Sequence, residues 1–330
     1  MKAIRKILVA VKNPDARRQP AVDKSIRIAK ALGASIEFFH AITEAVFLEI
    51  QPLTGHSIAE LKREALEHRQ KRLDKLSTRA RKLGVEANGS VEWDFPPHEA
   101  IVRRSVRCRA DLIIAECHEG RRLGWLVRLT DWELLRASPV PVLLLKSSRP
   151  WRRHVVLAAV DPSHAHAKPS RLDSLIVDHG EQFAKALHGP LHVMHANYPS
   201  VFGLTLGDPA IDAATLAATY EQQKIKSRRD FRVFAENAKI PRARRHVIDR
   251  DPVSGISAIA RKVSADLVVM GAVSRSGLKR LFIGNTAERV LNTLPCDVLV
   301  VKPAHFEKRV SAKLRGMRLV PPQPLIPMPI

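Results

Sequence analysis

The feature that most constrains this chain is an internal repeat: laid over itself with a shift of 155 residues, its second half reproduces its first. Ala29-Lys30-Ala31-Leu32 meets Ala184-Lys185-Ala186-Leu187, and His40-Ala41 meets His195-Ala196. In the same register Asp94 meets Asp249, Pro97 meets Pro252, Ile101 meets Ile256, and Ala110-Asp111-Leu112 meets Ala265-Asp266-Leu267. The opening apolar runs at 7–12 and 155–161 match at a shift of 149, so the second copy carries about six extra residues in the loop that follows. A duplicated unit accounts for the 330 residues as two domains of ordinary size.

Each copy alternates short, β-branched apolar runs with stretches of helical periodicity. In the second copy, 155–160, 266–270 and 298–301 read as strands covered on both faces. Residues 174–188, 215–238 and 254–265 read as amphipathic helices. The alternation predicts right-handed crossovers and a parallel sheet of about five strands per copy. The expected fold class is α/β, two tandem doubly wound domains of flavodoxin-like or Rossmann-like type, with ligand sites at the carboxyl ends of the strands. The expected boundaries are 1–149, 150–303 and a tail over 304–330 that is basic and then Pro-rich. The last strand of each copy, within 141–146 and 298–302, would be an open sheet edge. The copies are therefore expected to pack as a pseudo-dimer through those strands.

Charge and composition narrow the partners. Fifty-five basic against 33 acidic residues give a net charge of +22. The excess is shared between the halves, with 28 basic and 18 acidic residues in 1–150 and the remainder in the second half. Spread in this way it reads as a solubility and steering property rather than a dedicated nucleic-acid site. No run approaches the ~18 uncharged apolar residues of a membrane span, and MKAIRKILVAVK lacks an apolar core with a cleavage site, so a cytoplasmic location is expected. Cys108, Cys117 and Cys296 are odd in number and far apart, with no C-x-x-C, which argues against a disulfide framework or a zinc finger and predicts buried thiols.

The candidate site follows the strand at 266–270. From Gly271 the chain reads GAVSRSGLKRLFIGNTAERV, and glycines there allow close backbone approach while free N–H groups at a helix start favour an anion. Gly271, Ser274, Gly277, Gly284, Asn285 and Thr286 thus form a candidate phosphate cradle, with the alternative that the glycines serve only turns and caps. At this point the sequence resembles the universal stress protein family. Its nucleotide-binding members carry Gly, two residues, Gly, nine residues, Gly, then Ser or Thr. Gly271 and Gly284 match the outer glycines, Ser274 replaces the middle one, and Asn285 stands in the Ser/Thr position ahead of Thr286. The segments GNTAERVL, CDVLVVKP and TDWELLRASPVPVLLLK resemble the tandem-domain type found in bacteria. The resemblance implies an adenine nucleotide, ATP or AMP, bound weakly in the second domain, with Asp161 and Ala196 on the adenine side. In the first copy Lys12, Glu116, Glu119 and Leu129 replace Asp161, Gly271, Ser274 and Gly284, which predicts one site per chain.

No Walker lysine, G-x-S-x-G or H-E-x-x-H is present, so binding with at most slow ATP hydrolysis is expected. Lys279 and Arg280 reach for phosphates or form an exposed edge, and metal sites at His164/His166 with Asp161, or at Cys117-His118, are disfavoured. The apolar stretches 44–62 and 197–216 pack against the partner copy or, with Val201, Phe202, Leu204, Leu206 and Ile211, line a cavity for an apolar or acyl ligand. Phe306, Val310 and Leu314 share one helical face in the tail, suited to docking, and a homodimer of chains remains open.

Overall fold

The computed structural model describes residues 3–47, 57–117, 125–147, 149–163, 171–198, 213–271, 289–291, 293–303 and 310–320. The first unit runs β1 (Lys6–Ala10), α1 (Pro20–Leu32), β2 (Ser35–Ile42), β3 (Ala45–Phe47), α2 (Ile58–Lys82), β4 (Ala87–Trp93), α3 (Pro97–Arg107), β5 (Leu112–Glu116), α4 (Trp125–Ala137) and β6 (Val142–Leu145). The second runs β7 (Val156–Ala159), α5 (Leu172–Ala186), β8 (Leu191–Ala196), α6 (Ala213–Asn237), β9 (Arg245–Ile248), α7 (Pro252–Lys262), β10 (Leu267–Gly271) and β11 (Asp297–Val301), and β12 (Arg318–Val320) follows in the tail.

Ten strands form one sheet in the order β4-β2-β1-β5-β6-β11-β10-β7-β8-β9. Within each unit the five strands are parallel. The units meet where β6 and β11 pair antiparallel, Leu144 against Val298 and Val142 against Val300. The expected edges are therefore buried against each other, and the strand order within each unit reverses at the first strand, between β1 and β5 and between β7 and β10. One core lies on each face of the sheet, the first including Ile26, Leu73, Ile176 and Phe231, the second Leu134, Leu135, Ile256 and Val290. Both cores draw on both units.

Local chemistry explains the ends of the elements. Ser57 caps α2 in a capping box with Glu60, and Asp251 caps α7 through the N–H groups of Val253 and Ser254. The repeated Ala-Asp-Leu has a structural job: Asp111 accepts the N–H groups of Arg5 and Lys6 at 3.0 Å each, and Asp266 accepts those of Arg152 and Arg153 at 3.3 and 2.9 Å. Each aspartate ties the chain entering a unit's first strand to the start of its neighbour in the sheet, β5 or β10. The repeated histidines are also structural. Nδ1 of His40 lies 2.8 Å from the carbonyl of Val11 and Nδ1 of His195 lies 3.1 Å from that of Val160, so each ring holds β2 or β8 to the segment after the first strand.

A buried polar cluster locks the units. The Asp297 carboxylate, 1% exposed, pairs with Lys24 of α1 at 2.5 Å, accepts from Trp151 Nε1 at 2.7 Å, and accepts the Lys146 and Ser147 N–H groups at 2.8 and 3.2 Å. Lys24 also donates to the Ser147 carbonyl at 3.0 Å and lies over the Trp151 ring. Two further lysines cross the pseudo-dyad. Lys146, after β6, donates to the carbonyls of Leu291 and Leu294, and Lys302, after β11, donates to that of Leu135. Each cation thereby satisfies carbonyls in the segment that leads into the other unit's last strand.

The tail departs from its helical expectation. Residues 310–320 contain no helix, and β12 pairs parallel with β3, Arg318 against Ala45 and Val320 against Phe47. Arg315 donates to Glu99 and Asp94, and those contacts favour an extended path over helical closure. The last ten residues and Phe306 lie outside the described residues.

Removing Lys24 leaves the Asp297 carboxylate buried without its cation. Lys24→Met is expected to cost about 3–5 kcal/mol in urea unfolding, with a smaller loss in Lys24→Met/Asp297→Asn. Equal losses in the two variants would show that the charge pair is not what holds the units.

Candidate functional site

The crevice in the second unit lies where the strand order reverses, at the carboxyl ends of β7 and β10. Their register pairs Ala159 with Met270, so Gly271 closes β10 one residue beyond that pair and Asp161 lies two residues beyond Ala159. The structure thus brings two of the expected residues to one cleft. Ala196 ends β8, the strand flanking β7 on the other side. Ser274, Gly277, Gly284, Asn285 and Thr286 lie outside the described residues, as do Lys279, Arg280, His164, His166, His118, Glu119 and the apolar stretch 201–211.

Asp161 is held in a defined setting. Its N–H donates to Asp173 Oδ1 at 2.9 Å, its Oδ1 accepts from Ser163 Oγ at 2.7 Å, and His195 Nδ1 stands 3.8 Å away. Its side chain stays 27% exposed, so the carboxylate is open to solvent while its backbone is fixed by Asp173. His195 donates from Nδ1 to the Val160 carbonyl, which leaves Nε2 to accept from Ser227 Oγ at 2.6 Å, and it stacks on Phe231. Asp173, 2% exposed on α5, is a residue that sequence reasoning missed. Its signal was an acidic residue inside the apolar run at the start of that helix.

Asn197 was missed as well. It is fully buried, donates from Nδ2 to Asp249 at 2.8 Å, and takes its place beyond β8 through an N–H bond to the Ile248 carbonyl. Asp249 also pairs with Arg228 of α6. Burial pushes the Asp249 carboxyl up, but the hydrogen bond from Asn197 and the Arg228 charge outweigh it and hold the group below the usual carboxylate range.

Gly271 has a packing reason to be glycine. A Cβ there would lie 2.8 Å from Leu172 Cδ2 and 3.2 Å from Ile176 Cδ1, because α5 packs directly over the strand end. In the first unit the position matching Ile176 is Ala21, and Glu116 at the end of β5 is exposed. Lys12 follows β1 on the other side of that crevice. The first unit therefore presents a lysine and a glutamate where the second presents an aspartate and a glycine. Among the described residues no group of three His, Cys, Asp or Glu side chains is placed to hold a metal ion. None of the three cysteines is in a disulfide; Cys296 is buried as expected, whereas Cys108 and Cys117 are only half-buried, and burial pushes the Cys296 thiol up to about 12, far from thiolate reactivity.

A doubly wound unit repeated twice, with a cleft at each switch point, defines a class, and sequence comparison names it. The profile of the universal stress protein family matches residues 3–146 and 153–302, and the chain belongs to that family. Among individual proteins it is similar to Universal stress protein E of Photorhabdus laumondii, 25% identical over 309 residues that cover 92% of this chain and 97% of that protein. Universal stress protein E of Escherichia coli K12 is 26% identical over 312 residues, covering 92% and 96%. Of solved structures, a Pseudomonas aeruginosa PAO1 protein described as functionally unknown aligns with TM-score 0.67 and 27% identity over 92% of this chain and 94% of that one. A universal stress protein from Archaeoglobus fulgidus shares the fold, with TM-score 0.58 and 18% identity over 91% and 97%.

Two outcomes test this description. Gly271→Ala is expected to lose about 1–3 kcal/mol of stability through crowding against Leu172 and Ile176. An unchanged unfolding midpoint would place α5 elsewhere. Separately, burial lowers the pKa of His40, His98, His179, His192 and His246, the last two only 2.9 Å apart. The folded state then binds fewer protons than the unfolded chain, so stability is full above about pH 6.5 and falls as the pH drops through and below that value. Urea midpoints at pH 7.5 and 5 should show the decline, and His179→Leu should flatten part of it.

Proposed function

We propose that the second unit binds an adenine nucleotide, ATP or AMP, weakly in the cleft between β7 and β10, and that the protein acts as a sensing or regulatory module of the stress response in the cytoplasm. The observation that carries this reading is the contrast between the two crevices. Asp161 and Gly271 converge at one switch point. Lys12 and Glu116 flank the other, where a carboxylate would repel a phosphate chain. Asp161 presents a fixed acceptor suited to adenine or ribose donors, and Ala196 leaves a small apolar wall beside it. Downstream of Gly271, the phosphates fall to Ser274, Gly277, Gly284, Asn285 and Thr286, where the sequence pattern expects backbone N–H groups to face an anion. The departures at Ser274 and Asn285 argue for modest affinity, on the order of 10 μM to 1 mM, or about 4–7 kcal/mol. No group in the cleft is assigned a catalytic role.

Calorimetric titration with ATP, ADP and AMP should give one site per chain. Gly284→Val should abolish it by placing a β-branched side chain against the phosphates. Asp161→Ala should weaken all three nucleotides alike. A stoichiometry of two, or unchanged binding by Gly284→Val, would sink the assignment, whereas no binding by the wild type together with a co-purified acyl species in mass spectrometry would favour an apolar ligand.

A further inference from the structure

We propose that the carboxyl-end face of the first unit is a recognition site for an extended, arginine-bearing segment, and that residues 310–320 of this chain occupy it in cis. The site is built before its occupant arrives. Asp94, fully buried after β4, receives two hydrogen bonds from Arg103, at 2.6 and 2.8 Å, and Arg103 also reaches Glu99 at 2.9 Å. Two carboxylates therefore share one internal cation, 1% exposed in its side chain, and the pocket carries one uncompensated negative charge.

Arg315 supplies the missing charge. Its guanidinium donates to Glu99 Oε1 at 2.8 Å, its main-chain N–H donates to Asp94 Oδ1 at 2.9 Å, and it lies 5.9 Å from the centre of the Phe95 ring. Gly316, at φ +74°, turns the chain out of this anchor into β12, which lengthens β3 into a two-stranded ribbon. Strand addition is a recurring way to hold a peptide, and here the arginine in its acidic pocket fixes where the added strand begins.

The second unit shows why the tail selects the first. Its equivalent of Asp94 is Asp249, which Arg228 of its own helix and Asn197 already satisfy. The residue matching Arg228 in the first unit is Leu73, buried in the core, so the first unit has no cation of its own at that helix position. The tail contact is also built to exchange. Arg315 is 50% exposed, the ribbon is three residues long, and Leu314 and Leu319 remain exposed, so neither pairing nor the ion pair is strong alone.

A labelled peptide of residues 310–320, titrated by fluorescence anisotropy against the full-length chain, tests this. Wild type, with its site filled, should bind little. The Arg315→Glu chain should lose hydrogen-exchange protection at 318–320 and bind the peptide with a Kd of about 1–100 μM. Adding Glu99→Ala should weaken that binding by about tenfold, and a peptide carrying Arg315→Glu should not bind. Persistent protection in the Arg315→Glu chain, no binding of the peptide to it, equal affinity with Glu99→Ala, or full binding by the wild type would each overturn the proposal.

Discussion

The structure depends on one buried carboxylate. Asp297 opens the last strand of the second unit, yet most of its donors come from outside that unit: Lys24 from the first helix, and Lys146, Ser147 and Trp151 from the connection between the units. An ionised group in the interior is costly unless its charge and its lone pairs are all met, and here they are met only when the two units are docked. The cluster therefore discriminates against any arrangement in which β6 and β11 are apart or slipped. Around it, Lys146 and Lys302 reach across the pseudo-dyad to carbonyls just ahead of the opposite unit's last strand.

With the centre secured, the switch-point clefts take their form from the strand order alone, and their chemistry comes from a few loop residues. In the second unit Asp173 and His195 set Asp161 from beneath, while α5 closes over Gly271. In the first, Ala21 stands at the position of Ile176, and carboxylates sit at or just beyond the carboxyl ends of β4 and β5. Those at Asp94 and Glu99 hold the chain's own tail. The same scaffold thus carries an aspartate and a glycine at one switch point and a lysine and a glutamate at the other.

Much of the fold was legible because the repeat doubled every signal. The strand at 266–270 is found at Leu267–Gly271 and the helix at 174–188 at Leu172–Ala186, displaced by about two residues, since periodicity marks a face more sharply than an end. The apolar last strands announced their pairing because an unpaired hydrophobic edge is an unstable design. Asp297 was unreadable: a lone aspartate before VLVV has no periodic partner, and its donors lie 146 to 273 residues away in sequence. At the cleft, Asp161 and Gly271 were visible through the family pattern, whereas Asp173 and Asn197 looked like ordinary polar residues until burial exposed their role. The tail misled because Phe306, Val310 and Leu314 share a helical spacing while the energetic choice is made by Arg315 and its carboxylates.

The antiparallel meeting of β6 and β11 has a consequence beyond stability. All strands of one unit run one way and all strands of the other run the opposite way, so the two carboxyl-end faces open toward opposite ends of the sheet. The two faces stay apart, and among the described residues only those that leave β6 and β11, Lys146, Ser147 and Lys302, reach from a carboxyl end across the seam. A duplicated chain of this design is free to specialise one end while leaving the other intact. The molecule is thus a bar with two unlike, opposite-facing ends, joined by one continuous hydrogen-bonded sheet.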